Sequence, residues 1–252
     1  MITFIVSAVM AAVGVALGFA CCVILNKIPA EWLCDYDETP SEELKNGIRF
    51  VNKKHGIILG ASLGLSMALT AVSNGVSAEY FIGCCMCFTL ALIAAADAKY
   101  TIIPDQFTIA AAVTAVAFAV TDVLTKKDFS EKWYEPLIGI AVGGGLLVVL
   151  DLFSMFVLKK EGFGFGDIKL MAALGLMFGW KYIIVMLMAA SFIAAIHFLI
   201  LIFSGKGLGK EGVYLPMGPY LCIGAVVTMI CRPWFSHIFD MYKTLLEMEA
   251  LP

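Results

Sequence analysis

The sequence predicts an all-α, polytopic membrane protein with about eight transmembrane helices. Hydrophobic residues make up 61% of the 252 residues and charged residues only 15%. A soluble domain is typically closer to half apolar and a quarter charged. The apolar residues also fall in runs of about 20, the length that a helix needs to cross a bilayer. A net charge of −3 without a basic block gives no support for nucleic-acid binding.

Eight apolar runs are candidate spans. In order they cover 3–28, 56–74, 79–97, 107–124, 137–158, 167–181, 182–203 and 216–232. The first run lacks the positive start of a signal peptide, so we interpret it as an uncleaved helix. The sixth run has about 15 residues and reaches only ~22 Å as a helix. Its first residues are therefore expected to lie below the membrane surface, in a wet recess.

The runs divide the chain into three predicted parts. Residues 1–78 form a helical hairpin with a short cytoplasmic loop at 31–55, and residues 79–232 form a six-helix core. Residues 233–252 have the apolar spacing of an amphipathic helix on the outer surface. The loops on one side hold 11 of the 17 Lys and Arg residues. The positive-inside rule therefore makes that side cytoplasmic and places both termini outside.

Two Asp residues at the ends of predicted spans are the main functional candidates. Asp97 ends the third run and Asp167 begins the sixth. The two spans between them return the chain to the side it left, so both acids are expected at one face. Acids near hydrocarbon are costly and are therefore candidates for function. Two close carboxyls cannot both ionise cheaply, so one can accept a proton from water while the other polarises a carbonyl or protonates a leaving amine.

A glycine-rich segment leads into the second acid. Residues 164–167 are Gly-Phe-Gly-Asp, and Gly162 extends the alternation, so one edge of the segment lacks Cβ atoms. An extended substrate peptide could pair with such an edge. A simpler alternative is that Asp167 only caps its helix. The candidate substrate-binding residues are Gly164, Phe165, Gly166 and Lys169.

Three motifs follow one another at compatible spacing. Residues 97–105 are DAKYTIIPD, residues 164–175 are GFGDIKLMAALG and residues 215–221 are LPMGPYL. They resemble the two catalytic segments and the Pro-Phe-Gly-Pro stretch of the type IV prepilin peptidases, which are membrane aspartyl proteases of the GxGD type. The resemblance covers roughly residues 80–232.

The resemblance implies that Asp97 and Asp167 are the catalytic pair of an aspartic endopeptidase. It implies a multi-pass protein of a prokaryotic plasma (inner) membrane whose active site faces the cytoplasm. There it would cut the basic leaders of prepilins or pseudopilins just before their hydrophobic helices. The expected partners are those substrates and the lipid bilayer, without nucleic acid, and no cofactor or metal is expected. The other motif residues, with structural roles, are Pro104, Asp105, Pro216, Gly218 and Pro219.

The first loop differs from that of full-length bacterial members of the family. Those members carry two CxxC pairs in a larger loop and N-methylate the new pilin terminus with S-adenosylmethionine. The loop at 31–55 contains only Cys34. The sequence therefore supports neither a zinc site nor methyl transfer.

Two other functions remain open. The acids could relay protons in a proton-coupled transporter, although no internal repeat of the kind common in transporters is visible. The chain could also be a non-catalytic component of pilus or secretion assembly.

Three further charged residues have alternative interpretations. Asp151 could line a recess near the pair or hydrogen-bond a neighbouring helix. Lys99 and Lys169 could reach lipid headgroups or lower the pKa of the neighbouring acids.

Overall fold

The computed structural model describes residues 2–34, 39–46, 49–50, 52–125, 133–159, 162–204 and 216–249. Within these ranges there is no strand, and the all-α prediction is confirmed. The helices are α1 (Ile2–Lys27), α2 (Glu42–Asn46), α3 (Asn52–Asn74), α4 (Ala78–Tyr100), α5 (Asp105–Thr125), α6 (Glu135–Leu158), α7 (Phe165–Phe203) and α8 (Gly218–Glu249).

All the helices of the described ranges except the five-residue α2 are long and apolar enough to cross a membrane, which makes seven. Helices suit this role because they satisfy their own backbone hydrogen bonds where water is absent. The prediction of a multi-pass membrane protein is confirmed. The number of helices differs from the predicted eight because the sixth and seventh predicted spans both belong to α7, which has 39 residues.

Helix α7 folds back on itself at Gly179. This residue has φ 69° and ψ 175°, a conformation open to glycine but not to a helical residue. A Cβ built on Gly143 of α6 would lie 2.5 Å from the Met171 carbonyl oxygen and 3.2 Å from Cγ1 of Ile183. In a straight helix those two residues would be ~18 Å apart. The helix therefore has a first arm, 165–178, and a second arm, 180–203, which match the two predicted spans.

Helices α6 and α7 touch backbone to backbone. A Cβ on Gly139 would lie 2.0 Å from the Gly175 carbonyl oxygen, and one on Gly175 would lie 2.1 Å from the Gly139 carbonyl oxygen. Small residues allow such close approach between membrane helices, where dispersion contacts provide much of the attraction. This contact fixes the first arm of α7 against α6.

The short first loop is bound to the ends of two helices. The side chain of Asn26, near the end of α1, exchanges two hydrogen bonds with the backbone of Phe50, at 2.9 and 2.8 Å. The guanidinium of Arg49 donates to the carbonyl of Ile28 at 2.6 Å. Lys99 of α4 donates to the Arg49 carbonyl and lies 5.0 Å from the Phe50 ring centroid. The visible part of the loop thus covers the end of α4.

The end of α3 contacts α8 at the turn that contains Pro233. Pro233 has no N–H to donate to the carbonyl of Met229, four residues earlier. The side chain of Asn74 donates to that carbonyl instead, at 2.8 Å. Beyond the proline, α8 continues to Glu249, and its Phe239 ring packs edge-on against Tyr182 with centroids 5.5 Å apart.

Buried charges join three helices at the end of α4 that lies opposite Asp97. Arg232 of α8 lies 3.5 Å from Glu79 of α4 and 3.6 Å from Asp122 of α5. The hydroxyl of Thr125 donates to the other Glu79 oxygen at 2.7 Å. Charges so far from water persist only when paired. This network holds α4, α5 and α8 together.

Several sequence-based expectations are not tested by these contacts. The division at residues 78 and 232, the orientation in the membrane and the surface position of the tail stay predictions. Parts of the 31–55 loop (35–38, 47–48 and 51) lie outside the described residues. So do the loops at 126–132 and 205–215 and the last three residues of the tail.

The glycine contact predicts a position-specific loss of stability. Replacing Gly139→Ala should lower the free energy of unfolding in detergent by about 1–3 kcal/mol, because the added methyl group would overlap the Gly175 carbonyl. Gly145→Ala in the same helix is the matched control, since a Cβ there would meet nothing within 4 Å. Equal thermal unfolding of the two variants would contradict the packing argument.

Candidate active site

Asp97 lies in the last turn of α4 and is 5% exposed. The helix ends at Thr101, whose left-handed backbone (φ 56°) lets its N–H donate to the Asp97 carbonyl at 2.8 Å. On the side chain, Oδ2 accepts a hydrogen bond from the backbone N–H of Gly218 at 2.9 Å. Gly218 begins α8, where the first N–H groups have no partner within the helix. The carboxylate of Asp97 therefore caps α8.

Only glycine fits at position 218. A Cβ there would lie 2.6 Å from Oδ2 of Asp97 and 2.9 Å from its Cγ. Pro219 follows in the first turn of α8, where the missing N–H breaks no helical bond. The sequence assigned Pro216, Gly218 and Pro219 a structural role but missed the contact with Asp97. A glycine between two prolines ahead of an apolar run was the available signal.

Asp167 lies in the first turn of α7, one turn after the start of the glycine-rich run. Its backbone N–H donates to the Gly164 carbonyl at 3.0 Å. Its carboxylate oxygen Oδ1 is buried and has no hydrogen-bond partner among the described residues. A buried polar atom in that state is costly, and such atoms are frequent at functional sites.

The two acids lie close enough to interact. Asp97 is within electrostatic range of Asp167, and Gly166, next to Asp167, packs against Ile103, six residues after Asp97. Cys222, one turn along α8 from Gly218, is within electrostatic range of both carboxyls. The structure thus brings α4, α7 and the start of α8 together, with both acids at the same end of the bundle.

The second motif is joined to the first through an ion pair. Nζ of Lys169 lies 2.7 Å from Oδ1 of Asp105 and 4.6 Å from the centroid of the Phe165 ring. Both charged side chains are partly exposed, so the pair contributes at most about 1 kcal/mol. Pro104, directly before, accepts N–H bonds from the first turn of α5, including that of Phe107 at 3.0 Å. Lys169 therefore holds the start of α7 against the start of α5.

The glycines do not form one open edge, and that expectation is wrong. Helix α7 already begins at Phe165, so the extended alternation stops there. A Cβ on Gly162 would lie 2.8 Å from Cβ of Ser154, and one on Gly166 would lie 3.0 Å from Cβ of Ile103. A Cβ on Gly164 would lie 3.6 Å from Oδ2 of Asp167, an ordinary contact distance. The substrate-binding roles given to 164–166 and Lys169 stay predictions.

In the described ranges, no three His, Cys, Asp or Glu side chains are grouped so that they could hold a metal ion. Asp97 and Asp167 supply the two carboxyls of the site. They are the groups that the geometry brings together.

Comparison with known proteins shows which family part of the chain resembles. Residues 84–199 match the model of the Type IV leader peptidase family, and this segment includes both acids. The predicted family resemblance is confirmed. No solved structure matches the chain.

Three curated relatives are each described as a prepilin leader peptidase/N-methyltransferase. The Escherichia coli protein is 26% identical over 197 residues, which cover 75% of this chain and 82% of the relative. The Aeromonas salmonicida protein is 33% identical over 117 residues, with 45% and 38% covered. The Pseudomonas aeruginosa protein is 32% identical over 107 residues, with 40% and 35% covered. The chain thus spans less than two fifths of the length of the latter two.

The contact between Asp97 and α8 predicts coupling between two substitutions. Gly218→Ala should lower the free energy of unfolding by about 1–3 kcal/mol because its methyl group overlaps the carboxylate. Removing that carboxylate with Asp97→Ala should relieve the overlap, so the double variant should lose less than the sum of the single losses. We expect a coupling of about 0.5–3 kcal/mol from thermal unfolding in detergent. Simple additivity would contradict the contact.

Proposed function

We propose that the protein is a membrane aspartyl endopeptidase that removes leader peptides from prepilin-like substrates. One observation carries the proposal: Asp97 and Asp167, from helices far apart in sequence, lie within electrostatic range of each other at one end of the bundle, where Asp97 binds the start of α8. The family match over this segment and the names of the relatives support the choice of peptide cleavage over other acid-dependent functions.

The proposed chemistry uses the carboxyls as a pair. One carboxylate accepts a proton from a water molecule, and the water oxygen attacks the scissile carbonyl carbon. The other carboxyl, in its acid form, hydrogen-bonds to the carbonyl oxygen as negative charge develops there. Collapse of the tetrahedral intermediate breaks the C–N bond, and a proton passes to the leaving amine. Because the two groups titrate together, neither acid is assigned one role.

Two features support a substrate that is cut at the membrane edge. The first arm of α7 has 14 residues and reaches ~21 Å, which is shorter than the hydrocarbon core of a bilayer. Asp167, near the start of this arm, would therefore lie below the membrane surface. Basic residues are concentrated on the side where both acids lie. A basic leader followed by an apolar helix would place its junction there. We therefore propose that cleavage takes place at the cytoplasmic face of a prokaryotic plasma membrane.

Peptidase activity alone is proposed. The relatives' names also include N-methyltransferase, but the first loop of this chain has only Cys34 where full-length members of the family carry two CxxC pairs. Its described residues bind the ends of α1 and α4 through Asn26, Arg49 and Lys99. That arrangement gives the loop a structural role.

Loss of either carboxylate should abolish cleavage. Asp97→Asn and Asp167→Asn are each expected to lower kcat/KM by about 10²–10⁴-fold, because an amide cannot exchange the proton. Cleavage of a co-expressed prepilin would be measured by mass spectrometry of its new N-terminus. Asp240→Asn, at an exposed position of α8, is the control.

The outcomes separate the candidate functions. Cleavage retained by either Asn variant in a folded protein would refute the paired-acid mechanism. Acid-dependent solute flux in proteoliposomes without proteolysis would favour a transporter. Binding of prepilin by the wild type without turnover would favour an assembly component.

The pair also predicts the shape of the pH profile. The rate should fall at low pH, where both carboxyls carry protons, and at high pH, where neither does. Initial rates of leader cleavage across pH would be compared with thermal unfolding of the same samples. A rate that follows a single ionisation while the fold is unchanged would contradict shared use of one proton.

A further inference from the structure

The loop between α6 and α7 is bound by a carboxylate that the proposed chemistry does not use. Oδ1 of Asp151, on α6, accepts hydrogen bonds from the backbone N–H groups of Gly162 at 2.8 Å and Phe163 at 3.1 Å. These residues come directly before Gly164, which precedes the first residue of α7. Asp151 therefore binds the segment that leads into Asp167.

The position of Asp151 shows that the chain runs back alongside α6 before α7 begins. Helix α6 continues for seven more residues to Leu158, which is ~10 Å along its axis. Lys159 then leaves the helix with a left-handed backbone (φ 55°). By Gly162 the chain again lies beside Asp151 and Ser154. The loop has thus turned back along the last two turns of α6.

Backbone at that depth needs partners. Water is scarce inside a membrane, and an amide without an acceptor there costs several kcal/mol. One Asp151 oxygen satisfies two such amides. A carboxyl side chain inside a span is itself costly, and the two hydrogen bonds account for its position there.

We propose that Asp151 is a positioning residue for the candidate active site. By binding the amides of Gly162 and Phe163 it fixes where α7 begins, and so it orients Asp167 towards Asp97. It does not contact the reacting groups. The inference rests on the proposed function for its catalytic consequence, while the hydrogen bonds themselves are independent of it.

The test compares Asp151→Ala and Asp151→Asn in the full-length protein in detergent. The alanine variant removes the acceptor. The asparagine variant keeps a neutral oxygen that can still accept, though more weakly. Thr114→Ala is the control, because Thr114 is a half-buried polar residue in a span. Among the contacts described, its hydroxyl bonds only to the carbonyl of Ala110 in its own helix.

Two measurements are made. Hydrogen–deuterium exchange of the segment 159–167, without substrate, should be at least about tenfold faster in Asp151→Ala and intermediate in Asp151→Asn. Cleavage of a peptide with a basic leader and an apolar helix should show kcat lowered by about 10- to 100-fold in Asp151→Ala. KM should change by less than about threefold, because substrate contacts are not removed.

Each result decides one statement. Unchanged exchange in Asp151→Ala would show that Asp151 does not fix the backbone of Gly162 and Phe163. Faster exchange with unchanged kcat would overturn the positioning role. A loss confined to KM would point to substrate binding by the loop instead. If the wild type cleaves nothing, the proposed function fails, and protection of the Asp167 amide in the exchange experiment still decides whether Asp151 fixes the start of α7.

Discussion

The backbone contact between Gly139 and Gly175 is the constraint on which the site depends. It holds the first arm of α7 directly against α6, and that arm carries Asp167. The same helix, α6, carries Asp151, whose carboxylate binds the preceding loop. Both ends of the segment around Asp167 are thus set by one helix. Because α6 and α7 approach without side chains between them, even one methyl group would separate these elements.

Several polar side chains in the apolar helices satisfy backbone groups of another element. Asp97 accepts the first amide of α8, and Asp151 accepts two loop amides. Asn74 donates to the carbonyl that Pro233 leaves without a donor. Helix ends, prolines and loops are the places where a membrane protein lacks internal partners. These polar residues therefore lie where the helical pattern is interrupted.

The sequence predicts what depends on local properties. Hydropathy gives the spans, and the two spans between Asp97 and Asp167 put both acids on one side. The motifs resemble the same family whose model matches residues 84–199. Hydropathy also separates the two arms of α7, yet it cannot show that they form one element bent at a glycine. The contact of Gly218 with Asp97 joins positions 121 residues apart, and its geometry depends on how three helices pack. The prediction of an open glycine edge is wrong because helix α7 starts earlier than the alternation of glycines suggests.

The fold at Gly179 has a consequence for the surrounding lipid. The first arm of α7 is ~21 Å long, whereas the hydrocarbon core of a bilayer is about 30 Å thick. A helix that short creates hydrophobic mismatch, which a bilayer relieves by thinning locally. The thinning would lie next to the end of the arm that carries Asp167. A substrate that unwinds there would expose its peptide bonds to less hydrocarbon than elsewhere in the membrane.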